Sequence, residues 1–230
     1  MIAENLHEVE AGIEAARLRR TRVPKEAPVH LVAVTKNHDV AAMREAIDAG
    51  VSRIGENRIQ EAKEKFDVLD RNVQWHLIGH LHTNKAKQAV KYFDLIHSID
   101  SSHLAIAVDK AAASAGKVQD VLVQVNLAEE ESKSGIRKEG LMELLKLVDS
   151  LEHLRLCGLM LIAPNYEDVE ACRPLFREMY GIFQKIKGME WRTANIEYLS
   201  MGMTHDYQIA VEEGANIVRV GTAIFGQRQY

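Results

Sequence analysis

One lysine closes a long apolar run. Lys36 ends His30-Leu31-Val32-Ala33-Val34-Thr35-Lys36, which reads as a parallel strand buried on both faces. An amine held at the tip of such a strand is poorly solvated. Desolvation lowers its pKa, and a neutral amine attacks an aldehyde. Far along the chain come Ser200-Met201-Gly202-Met203-Thr204 and Arg219-Val220-Gly221-Thr222. Their glycines and small residues let backbone N–H groups approach an anion such as phosphate. An amine for an aldehyde and a cradle for a phosphate together point to pyridoxal phosphate. A Schiff-base aldolase acting on a phosphorylated sugar would use the same two features. Taken singly, Lys36 also reads as an exposed strand-end lysine, and the late segments as ordinary turns between strand and helix.

Arg219 sits between Val218 and Val220 inside a short strand. A buried charge needs a partner. That partner is either a barrel carboxylate such as Glu56 or the ring nitrogen of a cofactor. A guanidinium stays protonated and only donates, so it would leave a pyridine nitrogen unprotonated and weaken the ring as an electron sink. His76, His80 and His82 cluster around one strand. They suit a metal, a polar barrel mouth, or contact with substrate or cofactor.

The elements that must position these residues alternate. A leading helix over Asn5–Arg20 carries Leu6, Val9, Ile13 and Ala16 on one face. Eight strands are expected: Val29–Val34, Arg53–Gly55, Gln74–Ile78, Leu95–Ser98, Asp120–Asn126, Leu154–Leu161, Ile196–Leu199 and Ile217–Val220. Each precedes an amphipathic segment, among them Val40–Ala49, a helix bearing Ile59, Ala62, Phe66 and Leu69, Asn84–Lys91, and His205–Glu213. Asp100 or Ser101 caps one helix, Pro174 fits the first turn of another, and Thr222–Tyr230 forms a last short helix. Eight strand–helix units fit a single (β/α)8 TIM barrel spanning 1–230, with an extra N-terminal helix. A doubly wound open sheet would show a glycine-rich turn after the first strand, where this chain has Thr35-Lys36-Asn37. In a barrel the strand ends meet on one face, which gathers Lys36, Asn57, Gly79, Ser98, Asn126, Met160, Ser200 and Gly221.

Bulk properties narrow the classes. The 230 residues are 47% hydrophobic and 27% charged, with net charge −4. That argues against disorder and against nucleic acid as partner. Two cysteines, Cys157 and Cys172, are too few for a disulfide framework. The N-terminus is polar, and no stretch approaches the ~18 apolar residues of a membrane span. A cytoplasmic protein without membrane contact is expected.

Ordered blocks along the chain carry a resemblance. They are Ala33-Val34-Thr35-Lys36, Gly55-Glu56-Asn57, Trp75-His76-Leu77-Ile78-Gly79 with Asn84-Lys85, Val125-Asn126 with Ser132-Lys133-Ser134-Gly135, Gly158-Leu159-Met160, Ser200-Met201-Gly202-Met203, and Arg219 through Gly226. Together they resemble the pyridoxal phosphate homeostasis protein family. The resemblance implies a barrel like the N-terminal domain of bacterial alanine racemase, with pyridoxal 5'-phosphate as an internal aldimine on Lys36. It implies the phosphate around Ser200, Met203, Gly221 and Thr222, Asn57 near the ring, and Arg219 near its nitrogen. It also implies a carrier or regulator of vitamin B6 and amino-acid balance without established turnover. The chain departs from the family pattern at Asn37-His38-Asp39, where a second lysine and a proline are usual. His82 stands for a glutamine, and Thr204 for a serine while keeping a hydroxyl.

Two functions compete: a non-catalytic cofactor-binding protein, and a racemase of the same fold. Racemisation needs two opposed acid–base groups. Alanine racemases supply the second from a separate C-terminal domain of a partner subunit, and this chain ends at Tyr230. The carrier is therefore expected, as a monomer, with pyridoxal-phosphate-dependent apoenzymes as recipients.

Overall fold

The short apolar runs become strands because a β-branched, doubly buried segment has both faces to cover. A computed structural model describes residues 1–227. Its strands are β1 (His30–Val34), β2 (Arg53–Glu56), β3 (Gln74–Leu77), β4 (Leu95–Ile99), β5 (Gln119–Val125), β6 (Leu154–Leu161), β7 (Tyr198–Ser200) and β8 (Ile217–Val220). They pair in chain order, all parallel, and β1 also pairs with β8, which closes the barrel. The helices are α1 (Ile2–Leu18), α2 (Val40–Asp48), α3 (Ile59–Phe66), α4 (Ala86–Tyr92), α5 (Ser102–Ser114), α6 (Lys138–Ser150), α7 (Arg173–Lys187), α8 (Tyr207–Glu212) and α9 (Thr222–Phe225). One precedes the barrel and one follows each strand, the (β/α)8 arrangement expected from the sequence.

Alternation along each strand divides the core in two. Leu77, Ile96, Val121, Leu159, Leu199 and Val218 pack against the helices. Val32, Leu95, Leu122, Cys157, Met160 and Ile217 form a separate cluster inside the barrel. The interior is thus a packed core rather than a channel. Leu6, Val9, Ile13 and Ala16 are the buried face of α1, and Asn5 Nδ2 donates to Ile224 O at 2.9 Å, tying α1 to α9. Ser101 caps α5 by accepting from Leu104 N at 3.1 Å, and Asp39 caps α2 from Ala42 N at 2.8 Å. Pro174 lies in the first turn of α7, where its missing N–H costs no helical hydrogen bond.

Several boundaries move. β7 starts at Tyr198 rather than Ile196, although Asn195 N and Glu197 N still donate to β6 at 2.9 Å each. The β5–β6 register shifts beside Gly158, which has φ 147°, and this bulge offsets the neighbouring strand. Helix α3 ends at Phe66, so Leu69 lies beyond it. Phe66 is 40% exposed, its ring set 5.2 Å from both Trp75 and Tyr92. The segment before α4 begins as a 3₁₀ turn at Thr83–Lys85. Helix α8 starts two residues late, after Asp206. The last helix ends at Phe225 rather than running to Tyr230, because Gly226 adopts φ 84°; residues 228–230 lie outside the described residues. No described helix is long and apolar enough to cross a membrane.

Candidate functional site

Strand parity sorts the residues at the barrel mouth. Val34 and Lys36, Asn57, Ile78, Ile162, Arg219 and Gly221 share the inward parity, and all line one cavity of about 260 Å³. Met203, Thr204, His205 and Thr222 complete its wall from the loops after β7 and β8. The walls are apolar at Val34, Ile78 and Ile162, with an amine, an amide, a hydroxyl and a guanidinium at separate points. A flat polar ring bearing distinct substituents suits such a lining. A second recess of about 100 Å³ adjoins Lys36, Asn57 and Arg58.

The opposite parity anchors the loop that carries Lys36. Thr35 and Glu56 point toward α3, where Lys65 is buried among them. Lys65 Nζ donates to Glu56 Oε1, Glu61 Oε1 and Thr35 O, each at 2.7 Å. Thr35 Oγ1 donates to Glu56 Oε1 at 2.6 Å, and Asn37 N donates to Glu61 Oε1 at 2.5 Å. Both residues flanking Lys36 are therefore tied to one buried ion cluster. Asn37 takes φ 62°, a conformation that asparagine tolerates. Burial pushes the Glu56 carboxyl above its ordinary value despite the Lys65 charge beside it. Asn57 is held on the other side. A Cβ on Gly79 would strike the Asn57 carbonyl, so only glycine lets β3 approach that closely.

The late segments differ from a simple anion cradle. Gly202 takes φ 99°, and a Cβ there would meet Ala210 Cβ at 2.7 Å. Met203 lines the cavity, but its N–H donates to Asp206 Oδ1 at 2.6 Å and is not offered to an anion. Gly221 N reaches Thr204 Oγ1 at 3.4 Å, so this hydroxyl and the β8–α9 turn share one corner. Ser200 sits one layer lower. It is fully buried and off the cavity wall, its Oγ 2.5 Å from Arg219 Nη1 and 3.0 Å from His97 Nδ1. Expectation had placed Ser200 at the phosphate. Its hydroxyl is directed instead to Arg219 and His97, while Thr204 from the same segment lines the cavity.

Arg219 forms no ion pair among the described residues. Its Nη2 donates to Leu161 O at 3.0 Å, and Glu56 is committed to Lys65 outside the barrel, which corrects the expected Arg219–Glu56 alternative. Burial pushes the Arg219 guanidinium down to about 10, which leaves it charged at neutral pH. His76 is pushed down to about 3, also by burial. The three clustered histidines separate. His76 faces the interior, with its Nδ1 2.9 Å from His97 Nε2. His80 and His82 lie at the rim with ring centroids 4.6 Å apart, and Ser134 Oγ lies 3.2 Å from His80 Nδ1. Among the described residues no group of three or more histidine, cysteine or acidic side chains suits a metal. Ser98 is buried with its hydroxyl unpartnered. Asn126 Nδ2 instead closes the polar loop on Glu130 O at 2.8 Å. Ile78, Ile162 and His205 were not singled out from sequence; for the two isoleucines, inward parity two positions past a strand's lumen residue was the available signal.

Residues 13–229 match the alanine racemase N-terminal domain family. A pyridoxal phosphate homeostasis protein of Escherichia coli K12 is 39% identical over 234 residues, covering 100% of this chain and 97% of that one. This chain belongs to the pyridoxal phosphate homeostasis protein family. A member from Aquifex aeolicus is 41% identical over 201 residues, 87% of each chain. Among solved structures, PipY of Synechococcus elongatus with PLP bound is 36% identical, with a TM-score of 0.85 over 98% of this chain and 100% of PipY. Alanine racemase of Clostridium difficile shares the fold at 15% identity and a TM-score of 0.71, over 97% of this chain and 57% of the racemase.

Proposed function

We propose that this chain binds pyridoxal 5'-phosphate in the mouth cavity through Lys36 and serves the cell's balance of that cofactor and of amino acids, without turning amino acids over. The observation that carries this reading is the convergence of the Lys36 amine, the Thr204–Gly221–Thr222 corner and the charged Arg219 on one cavity. PipY with PLP bound supports it. When bound, the cofactor supplies an aldehyde and an electron-accepting ring. Lys36 would hold the cofactor through its aldehyde, with loss of water. Thr204 and Thr222 would hold the phosphate and Asn57 would border the ring, all three lining the cavity. Arg219 only donates, so against a ring nitrogen it would favour the unprotonated form and disfavour removal of the Cα proton of an amino acid. A monomeric cytoplasmic protein that hands its cofactor to apoenzymes accords with this arrangement.

Borohydride reduction followed by peptide mapping tests the attachment. One pyridoxyl group is expected, on Lys36; label chiefly on another lysine would overturn the reading. Thr204→Val keeps the shape of the corner and removes its hydroxyl. It should weaken pyridoxal phosphate roughly tenfold, the value of one hydrogen bond to a charged group, and leave unphosphorylated pyridoxal unchanged in the same titration. Equal losses for both would place the phosphate elsewhere. With L- or D-alanine in deuterated buffer, inversion is expected well below about 1 per second. Faster inversion of either enantiomer would restore the racemase.

A further inference from the structure

A line of hydrogen bonds runs through the barrel interior beneath the cavity. His76 on β3, His97 on β4, Ser200 on β7 and Arg219 on β8 take part, and none is more than 3% exposed. The contacts are His76 Nδ1 to His97 Nε2 at 2.9 Å, His97 Nδ1 to Ser200 Oγ at 3.0 Å, and Arg219 Nη1 to Ser200 Oγ at 2.5 Å. At one end Arg219 lines the mouth cavity. At the other, His76 lines a cavity of about 370 Å³ at the opposite end of the barrel, beside Asp94 and Asp120.

The protons on this line are determined by satisfaction. Burial holds both imidazoles neutral at ordinary pH, so each carries one N–H. Arg219 cannot accept, hence it donates to Ser200. If His97 Nδ1 also donated to Ser200, the buried Ser200 hydroxyl proton would have no acceptor, a costly arrangement. The alternative gives the Ser200 hydroxyl and the His97 N–H an acceptor each. Ser200 donates to His97 Nδ1, His97 donates from Nε2 to His76 Nδ1, and His76 carries its own proton on Nε2, toward the far cavity. All bonds then point one way, away from the guanidinium. A hydroxyl that donates is a better acceptor, so the line strengthens the Ser200 contact to a buried cation that no carboxylate touches directly, Asp206 acting on it only from a distance.

We propose that Ser200, His97 and His76 are positioning residues that fix the Arg219 guanidinium against the ring nitrogen of the bound cofactor. Ser200 and the Leu161 carbonyl define the guanidinium plane from below, leaving its remaining N–H groups for the cavity. The inference rests on the pyridoxal phosphate reading. It predicts which ligand feature the line serves: the ring nitrogen, not the aldehyde or the phosphate.

The test compares pyridoxal phosphate with its 1-deaza analogue, which carries carbon at that ring position. Wild-type protein should prefer pyridoxal phosphate by about tenfold or more, one charge-assisted hydrogen bond. Ser200→Ala and His97→Phe should reduce the preference to within about twofold, with little change in affinity for the analogue. Ser200→Thr, which restores a hydroxyl, should keep the preference. Folded variants that retain the wild-type preference would overturn the inference, as would wild-type protein that binds both ligands equally. Wild-type protein that binds neither would sink the cofactor reading itself, a distinguishable result. Should the substitutions prevent folding, ¹⁵N spectra of the ligand-free wild-type imidazoles decide. Nε2–H tautomers are expected for both His76 and His97, and an Nδ1–H tautomer at His97 would overturn the line as described.

Discussion

Lys36→Ala protein should emerge from purification colourless, with no absorption above the protein band when pyridoxal phosphate is added and excess removed. The wild-type protein should carry a visible band that borohydride abolishes. The effect is expected to be nearly complete because the amine makes the only covalent link, whereas the remaining contacts are hydrogen bonds worth about 1–3 kcal/mol each. Fold should be retained. Lys36 is half-buried at the mouth, and the buried cluster that ties down the loop uses Thr35 and Asn37 on either side. Circular dichroism and the melting temperature check this. A coloured, borohydride-sensitive Lys36→Ala protein would show that another amine makes the bond.

The largest loss of stability is expected from Lys65→Met. Lys65 and Glu56 are 8% and 0% exposed in their side chains and meet at 2.7 Å. Removing one partner strands a buried carboxylate, which costs about 3–5 kcal/mol. The sign with pH follows from Glu56. Its folded pKa is already raised by burial, so the folded protein holds that proton more tightly than the unfolded chain does. Without Lys65 the pKa rises further. The ionisation penalty is then absent below the unfolded carboxylate range and grows as pH rises toward neutrality. The deficit of Lys65→Met relative to wild type should be large at pH 7.5 and shrink toward pH 5 in urea melts. Glu56→Gln in the same background should recover part of the loss at pH 7.5, because no buried charge is left unpaired. A deficit independent of pH would show that packing of the lysine stem, not the charge pair, dominates. The same variant should loosen the Lys36 loop and slow bond formation with added pyridoxal phosphate.

Much of the fold was legible because its signals are local. β6 and β8 were placed at Leu154–Leu161 and Ile217–Val220, the spans they occupy, since a doubly buried strand shows as an uninterrupted apolar run. Pro174 and Ser101 marked helix starts through chemistry confined to one turn. The misplaced elements were those whose limits depend on neighbours. β7 is offset by a bulge in β6, and Phe66, 40% exposed, meets core rings from β3 and α4 only at the edge.

At the site, sequence alone determined that Lys36, Asn57 and Gly221 stand at strand ends and Arg219 inside the last strand, because position along a strand and parity within it are read directly from the chain. Tertiary structure alone decided what each of them touches. Arg219 meets Ser200 and Leu161 instead of Glu56, Ser200 lies beneath the cavity while Thr204 reaches it, His76 pairs with His97, and Lys65 on α3 anchors the loop of Lys36. These partners are 9 to 58 residues apart in sequence. Which of them meet depends on the stagger between strands when the barrel closes and on the depth of each side chain in it, and neither quantity has a signature in any local stretch of residues.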